Sequence, residues 1–229
     1  MTLSSDPCQA DHIGERPFAG DATSAADVSA WRQAERRRLR QERAGLTPSM
    51  LQNISERIIA TLQDLLAPFD PATLTIGASW PVRGEPDPLP LLAHLRSQGA
   101  TLGLSVCVDP PEAMRYRLWT AGTPLEPGLW NLPVPPAPSG EIRPNLVLVP
   151  LLGWDGDGHR LGFGTGYVDR TLARSPQVYA IGFGLQSARL STIHPLPHDR
   201  ALDLVVTECG IEAGRRPAPS GLGPVRDPH

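Results

Sequence analysis

The densest set of residues able to do chemistry lies between Pro144 and Arg174, PNLVLVPLLGWDGDGHRLGFGTGYVDRTLAR. Six glycines (Gly153, Gly156, Gly158, Gly162, Gly164 and Gly166) fall within fourteen residues there. The apolar run Asn145 to Pro150 precedes them, too short for a helix between its prolines and suited to a buried strand. Tyr167 to Arg174 follows with the length and basic ending of a short helix, and Asp169 stands near its start. Strand, glycine loop and helix in that order build an anion site. Glycines let backbone N–H groups approach a phosphate, and a helix N-terminus adds unpaired donors and the positive end of its dipole. Arg160 is placed to add a fixed charge whose planar fork matches phosphate oxygens. The spacing Gly162-x-Gly164-x-Gly166 is neither the dinucleotide fingerprint nor a P-loop. Spacing alone therefore leaves two readings, a phosphate cradle or a tight turn.

The elements that must position this stretch alternate between strand and helix patterns. Asp27 or Ser29 can cap a helix through WRQAERRRLRQERAGL that ends near Gly45. Thr47-Pro48 starts a second helix, Ser49 to about Ala67, with one face of Leu and Ile. Leu74 to Ser79 reads as a strand, Leu89 to about Gln98 as a helix, and Thr101 to Val108 as a second strand. Ala113 to Trp119 alternates like an exposed hairpin strand, while Val178 to Phe183 and Leu202 to Val206 read as buried strands. Such strand-plus-helix units predict an α/β fold with a mainly parallel sheet and helices on both faces. Residues 1–27 are small and polar and read as a disordered leader, 28–211 as one α/β domain, and 212–229 as a disordered, proline-rich tail.

Composition narrows the function classes. The net charge of −3 argues against bulk affinity for nucleic acid or for an anionic membrane surface. No apolar run approaches membrane-spanning length, and no signal peptide is visible. Three widely spaced cysteines, Cys8, Cys107 and Cys209, predict reduced, inert thiols in a cytoplasmic protein. All 21 basic residues are arginine, so any mechanism needing a catalytic lysine is excluded. Asp155 and Asp157 resemble the start of a calcium loop, but the twelfth position is Gly166 where a Glu is required. His194, His198 and Asp199 lack the Gly-x-Ser-x-Gly elbow of a hydrolase.

The composite RLGFGTGYVDR at 160–170 resembles the RLG-x-G-x-G-YYDR signature of 5-formyltetrahydrofolate cyclo-ligases (methenyltetrahydrofolate synthetases). The resemblance covers about residues 31 to 211, is strongest over 144–170 and is fair over 193–208. It implies a three-layer α/β sandwich of the NagB/RpiA/CoA-transferase-like type. In the family an N-terminal helix carries a Lys and, four residues on, an Arg that contact the ATP phosphates. Here Arg32 with Arg36, or Gln33 with Arg37, fits that spacing, and neither supplies the lysine. Glu85-Pro86-Asp87-Pro88 is similar to the family's Glu-x-Asp/Glu-Thr segment, whose leading Glu contacts the folate. GLWNLP is similar to a Trp-Asn-Ile-Pro run that stacks on it, making Trp130 either a flat platform or a loop anchor in the core. The segment IHPLPHDRALDLVVTE matches the family's closing segment and supplies Asp199. Val168 replaces the second tyrosine of the signature.

By this resemblance Arg32, Arg36, Arg160, Gly162, Gly164, Gly166 and Tyr167 hold ATP. Glu85, Trp130 and Tyr167 hold a reduced folate, and Asp169 and Asp199 hold Mg²⁺. Arg160 and Asp169 are the implied catalytic pair. The implied reaction closes 5-formyltetrahydrofolate to 5,10-methenyltetrahydrofolate with release of ADP and phosphate, with no nucleic acid, membrane or obligate protein partner. An alternative is a catalytically impaired paralogue that binds nucleotide or folate without turnover. An arginine directed at Gly164 favours the enzyme, and an arginine face turned to solvent favours the paralogue.

Overall fold

A computed structural model describes residues 15–82 and 84–214. In chain order the elements are α1 (Ala25–Ala44), α2 (Pro48–Leu66), β1 (Thr75–Ala78), α3 (Leu89–Ser97), β2 (Thr101–Val106) and β3 (Arg115–Leu118). The short strands β4 (Glu126–Pro127), β5 (Pro133–Val134) and β6 (Glu141–Ile142) follow. Then come β7 (Leu146–Pro150), β8 (Gly153–Asp155), β9 (Arg160–Leu161), α4 (Tyr167–Arg174), β10 (Tyr179–Phe183), β11 (Arg189–Leu190), β12 (Leu204–Thr207) and β13 (Gly210–Gly214).

Eight strands form the main sheet in the order β13-β12-β10-β7-β1-β2-β3-β6. The five central strands, β12 to β2, run parallel, and the outer pairings β12/β13, β2/β3 and β3/β6 are antiparallel. Strand β7 shows why the sheet needs cover on both sides. Leu146 and Leu148 enter one apolar cluster while Val147 and Val149 enter the other, as period-two geometry requires. The first cluster is closed by Ile58, Leu62 and Leu66 of α2 and by Leu91, Leu92 and Leu95 of α3. The second is closed by Trp31 and Leu39 of α1 and Leu172 of α4. This is the expected three-layer α/β sandwich. Its carboxyl strand ends, at Ala78, Val106 and Pro150, lead directly into the loops that carry the chemistry.

Helix α1 starts earlier than its sequence signals predict: Ser24, not Asp27 or Ser29, accepts from the Asp27 N–H as its cap. Residues 15–24, placed by sequence in the leader, pack on the domain: the Trp31 Nε1–H donates to the Arg16 carbonyl at 2.9 Å. Residues 1–14 of that leader and 215–229 of the expected tail lie outside the described residues. A second, three-stranded sheet, β11-β8-β9, was not expected, because its strands are only two or three residues long. Cys209 is disulfide-bonded and Cys107 is a free thiol, so the expectation of three reduced cysteines does not hold. No helix among the described residues is long and apolar enough to cross a membrane.

Candidate active site

One cavity of about 230 Å³ gathers the loops at the carboxyl ends of β1, β2 and β7 beneath one face of α1. The sequence residues Arg32, Arg36, Glu85, Trp130, Arg160, Gly162, Gly164, Gly166, Tyr167, Asp169 and Asp199 all line it. Helix periodicity selects between the two arginine registers. Arg32, Arg36, Leu39 and Arg43 recur at i, i+4, i+7 and i+11 and face the protein, whereas Gln33 and Arg37 are exposed.

The glycine loop 162–166 crosses beneath α1. Gly164 (φ +93°) and Gly166 (φ +71°) adopt left-handed backbone, which is why glycine stands at those two positions. Gly166 is the N-cap of α4 and offers no side chain, leaving the first-turn N–H groups without a side-chain cap. Above the loop the Arg36 Nε–H donates to the Gly162 carbonyl at 2.8 Å. Arg36 has no carboxylate within ion-pair distance among the described residues. Burial, and then the neighbouring charges of Arg32 and Arg40, disfavour its protonated form, and Asp199 only partly offsets them. A half-buried cation without a counterion, set against a glycine loop and a helix N-terminus, is an anion site.

The other arginines of the cavity are already paired. Arg160 donates through Nη2 to Asp169 Oδ1 at 2.8 Å and through Nη1 to the Arg200 carbonyl at 2.5 Å. Burial disfavours its charge, and Asp169 and then Asp199 only partly offset this. Asp169 Oδ1 also accepts from the Arg200 N–H at 2.9 Å, while Asp169 Oδ2 has no hydrogen-bond partner among the described residues. Arg32, expected to meet the nucleotide, lines the cavity with its guanidinium turned to the closing segment. It pairs with Asp199 at 2.6 Å, and Asp199 also accepts from the Leu196 N–H at 2.6 Å. Burial works against the charge of Asp199, but these hydrogen bonds and the guanidinium hold its carboxyl below the ordinary range.

The rest of the lining includes aromatic and apolar side chains. Trp130 is 58% exposed and stands at φ 56°, followed by Asn131 at φ 60°, so the loop presents the ring outward and does not bury it in the core. Its ring meets Tyr167 edge-on at 5.7 Å, and the Tyr167 hydroxyl donates to the Val108 carbonyl. Leu129, Leu132, Val134 and Met114 also line the cavity. Glu85 is buried, accepting from the Val82 N–H at 3.0 Å with Arg43 of α1 at 3.7 Å. Burial pushes its carboxyl pKa up, opposed by that N–H and by Arg43.

Three features of the site escaped the sequence. Arg43 pairs with Glu85 across 42 positions; its place on the Arg32/Arg36 face was the available signal. Phe163, 52% exposed on the glycine loop, lies under the Arg40 guanidinium at 5.6 Å. The Asp155 carboxylate accepts from the N–H groups of Asp157, His159 and Ile193, tying the glycine-rich hairpin to the closing segment.

The model of the 5-formyltetrahydrofolate cyclo-ligase family matches residues 28–208, the whole span that builds this cavity. The chain belongs to that family. A 5-formyltetrahydrofolate cyclo-ligase of Mycolicibacterium smegmatis is 35% identical to it over 143 residues, 58% of this chain and 73% of the relative. The fold matches the solution structure of Aquifex aeolicus 5,10-methenyltetrahydrofolate synthetase with a TM-score of 0.69 at 22% identity, over 81% of this chain and 94% of that one. It matches the Mycoplasma pneumoniae 5,10-methenyltetrahydrofolate synthetase with a TM-score of 0.64 at 21% identity, over 77% and 98%. In this cyclo-ligase family member the donor set suits a nucleotide-bound Mg²⁺. No group of three metal-binding side chains occurs among the described residues. Asp169, whose Oδ2 has no partner among the described residues, lines the cavity with the glycine loop, and Mg²⁺ takes few protein ligands when phosphates supply the rest.

Proposed function

We propose that this chain closes 5-formyltetrahydrofolate to 5,10-methenyltetrahydrofolate at the expense of ATP, releasing ADP and phosphate. The observation that carries the reading is that two kinds of group line one cavity. Arg36 and the glycine loop supply a cationic, anion-binding set, and Trp130, Tyr167 and Glu85 supply two aromatic rings and one carboxylate. A nucleotide triphosphate suits the first, and a pterin bearing paired N–H donors suits the second.

In this reading Arg36, the backbone of Gly162 to Gly166 and the first turn of α4 bind the phosphates, with Arg160 neutralising charge beside them. Asp169 would hold Mg²⁺, which would supply charge neutralisation for the phosphates. Trp130 stacks on the folate ring, with Tyr167 fixing its edge, and Glu85 accepts from the pterin donors. The formyl oxygen takes the γ-phosphoryl group, N10 attacks the activated carbon, and phosphate leaves with that oxygen. The chain contributes alignment and charge balance and no covalent nucleophile, as phosphoryl transfer allows. Arg36 directed at Gly164 supports turnover over the alternative of a non-catalytic binding paralogue, whose arginine face would be turned to solvent.

The test is the fate of the formyl oxygen. With the substrate labelled by ¹⁸O in its formyl group, the released phosphate is expected to carry one ¹⁸O per turnover. Unlabelled phosphate alongside methenyl product would mean that the oxygen is not phosphorylated and the proposed chemistry is wrong.

A further inference from the structure

Arg32 stands one turn before Arg36 on the same face of α1, yet it does different work. Its Nε–H donates to the Ile193 carbonyl at 2.9 Å, and Nη2 donates to the His194 carbonyl at 2.8 Å. Nη1 and Nη2 donate to the two oxygens of Asp199 at 3.2 and 2.6 Å. Four of the five N–H groups of a guanidinium are thus spent on residues 193–199. A lysine, with three donors at one point, cannot address acceptors spread across this plane.

The same segment is gripped from its other side. The Ile193 N–H donates to Asp155 Oδ2 at 3.0 Å, and Ser191 donates to Glu15 through both its N–H (2.9 Å) and its hydroxyl (2.7 Å). The Phe18 ring lies 4.0 Å from the ring of His194, and Trp31 meets that ring edge-on at 4.9 Å. His194 is held at φ 52°, a backbone state that needs its surroundings to fix it.

We propose that Arg32 is a positioning residue: it clasps the 193–199 segment against α1 and leaves phosphate binding on this helix to Arg36. Both oxygens of Asp199 then reach the cavity already engaged, and its charge is balanced before any ligand enters. Only the affinity and kinetic parts of the test rest on the ATP-dependent reading above; the clasp itself is read without nucleotide.

The experiment is hydrogen exchange over 191–199 in the ligand-free protein, with calorimetric titration of Mg-ADP, on wild type, Arg32→Lys, Arg32→Gln, Asp199→Asn and the Arg32→Gln/Asp199→Asn double variant. Both Arg32 variants are expected to raise exchange at the Leu196 and Asp199 amides at least tenfold while the protein stays folded. Both are expected to weaken Mg-ADP about tenfold and raise the KM for ATP, with the KM for folate within twofold. In the Asp199→Asn background, Arg32→Gln should cost less than a further twofold. Unchanged exchange in Arg32→Gln, wild-type ADP affinity in Arg32→Lys, or additive losses in the double variant would overturn the proposal. If the wild type binds no Mg-ADP, the nucleotide reading fails, and the exchange result still decides the clasp on its own.

Discussion

Arg36 hydrogen-bonds the Gly162 carbonyl at 2.8 Å, and a Cβ added at Gly164 would meet its Cζ at 3.3 Å. That closeness of one helix side chain to a glycine loop more than 120 positions away makes the cationic part of the cavity lining. It also explains why an arginine serves here. One nitrogen of the fork anchors the side chain to the loop while the others remain available to an anion.

Arg36→Ala is expected to raise the KM for ATP roughly ten- to a hundredfold, since hydrogen bonds to charged groups contribute about 1.5–3 kcal/mol. Folate affinity should change less than twofold. Steady-state kinetics with each substrate varied in turn checks this, and an equal loss for both substrates would place Arg36 elsewhere in the mechanism.

Asp169→Asn keeps an acceptor for Arg160 but removes the charge at Oδ2. Turnover should fall at least a hundredfold, and Mn²⁺ affinity in the presence of ADP, read by electron paramagnetic resonance, should fall with it. The fold should lose about 1–3 kcal/mol, because the Arg160 side chain, 5% exposed, is left with a weaker counter-group. Denaturant unfolding measures that loss.

Trp130→Ala should leave stability nearly unchanged, since the ring is mostly exposed. Removal of its stacking face and its contact with Tyr167 should weaken folate binding roughly three- to tenfold, about 1 kcal/mol. Fluorescence titration with 5-formyltetrahydrofolate separates this from any effect on ATP.

Two carboxyls give opposite pH signatures. Asp199 has a folded pKa below its unfolded value, so its stabilisation is present above the unfolded value and is lost as pH falls through the folded one. Glu85 has a folded pKa above its unfolded value, so the folded state holds the extra proton and stability falls as pH rises between the two. Thermal unfolding across the acid range should therefore show a flatter acid limb in Asp199→Asn. In Glu85→Gln the decline just above the ordinary carboxyl range should disappear.

Much of the frame was legible in the sequence because it rests on local periodicity. Tyr167 to Arg174 was bounded as the helix that forms, and β7 and β10 fell within a residue of their expected limits. The family signature at 160–170 likewise pointed at the loop that lines the cavity. What was not legible depends on pairing across the chain. Spacing alone could not choose Arg32/Arg36 over Gln33/Arg37, since both are i, i+4 pairs and only packing of α1 decides which faces inward. The Arg32–Asp199 and Arg43–Glu85 pairs join residues 167 and 42 positions apart, beyond any local pattern. Trp130 lay between platform and core until its left-handed backbone turned it outward.

Absorbance at the methenyl-folate band shows whether the anion-binding and aromatic groups of this cavity serve one reaction. With purified protein, 5-formyltetrahydrofolate, ATP and Mg²⁺, a rise is expected that needs all three additions and vanishes in Asp169→Ala. A flat trace from wild-type protein that binds both ATP and folate would contradict the account and leave a binding module on the same fold.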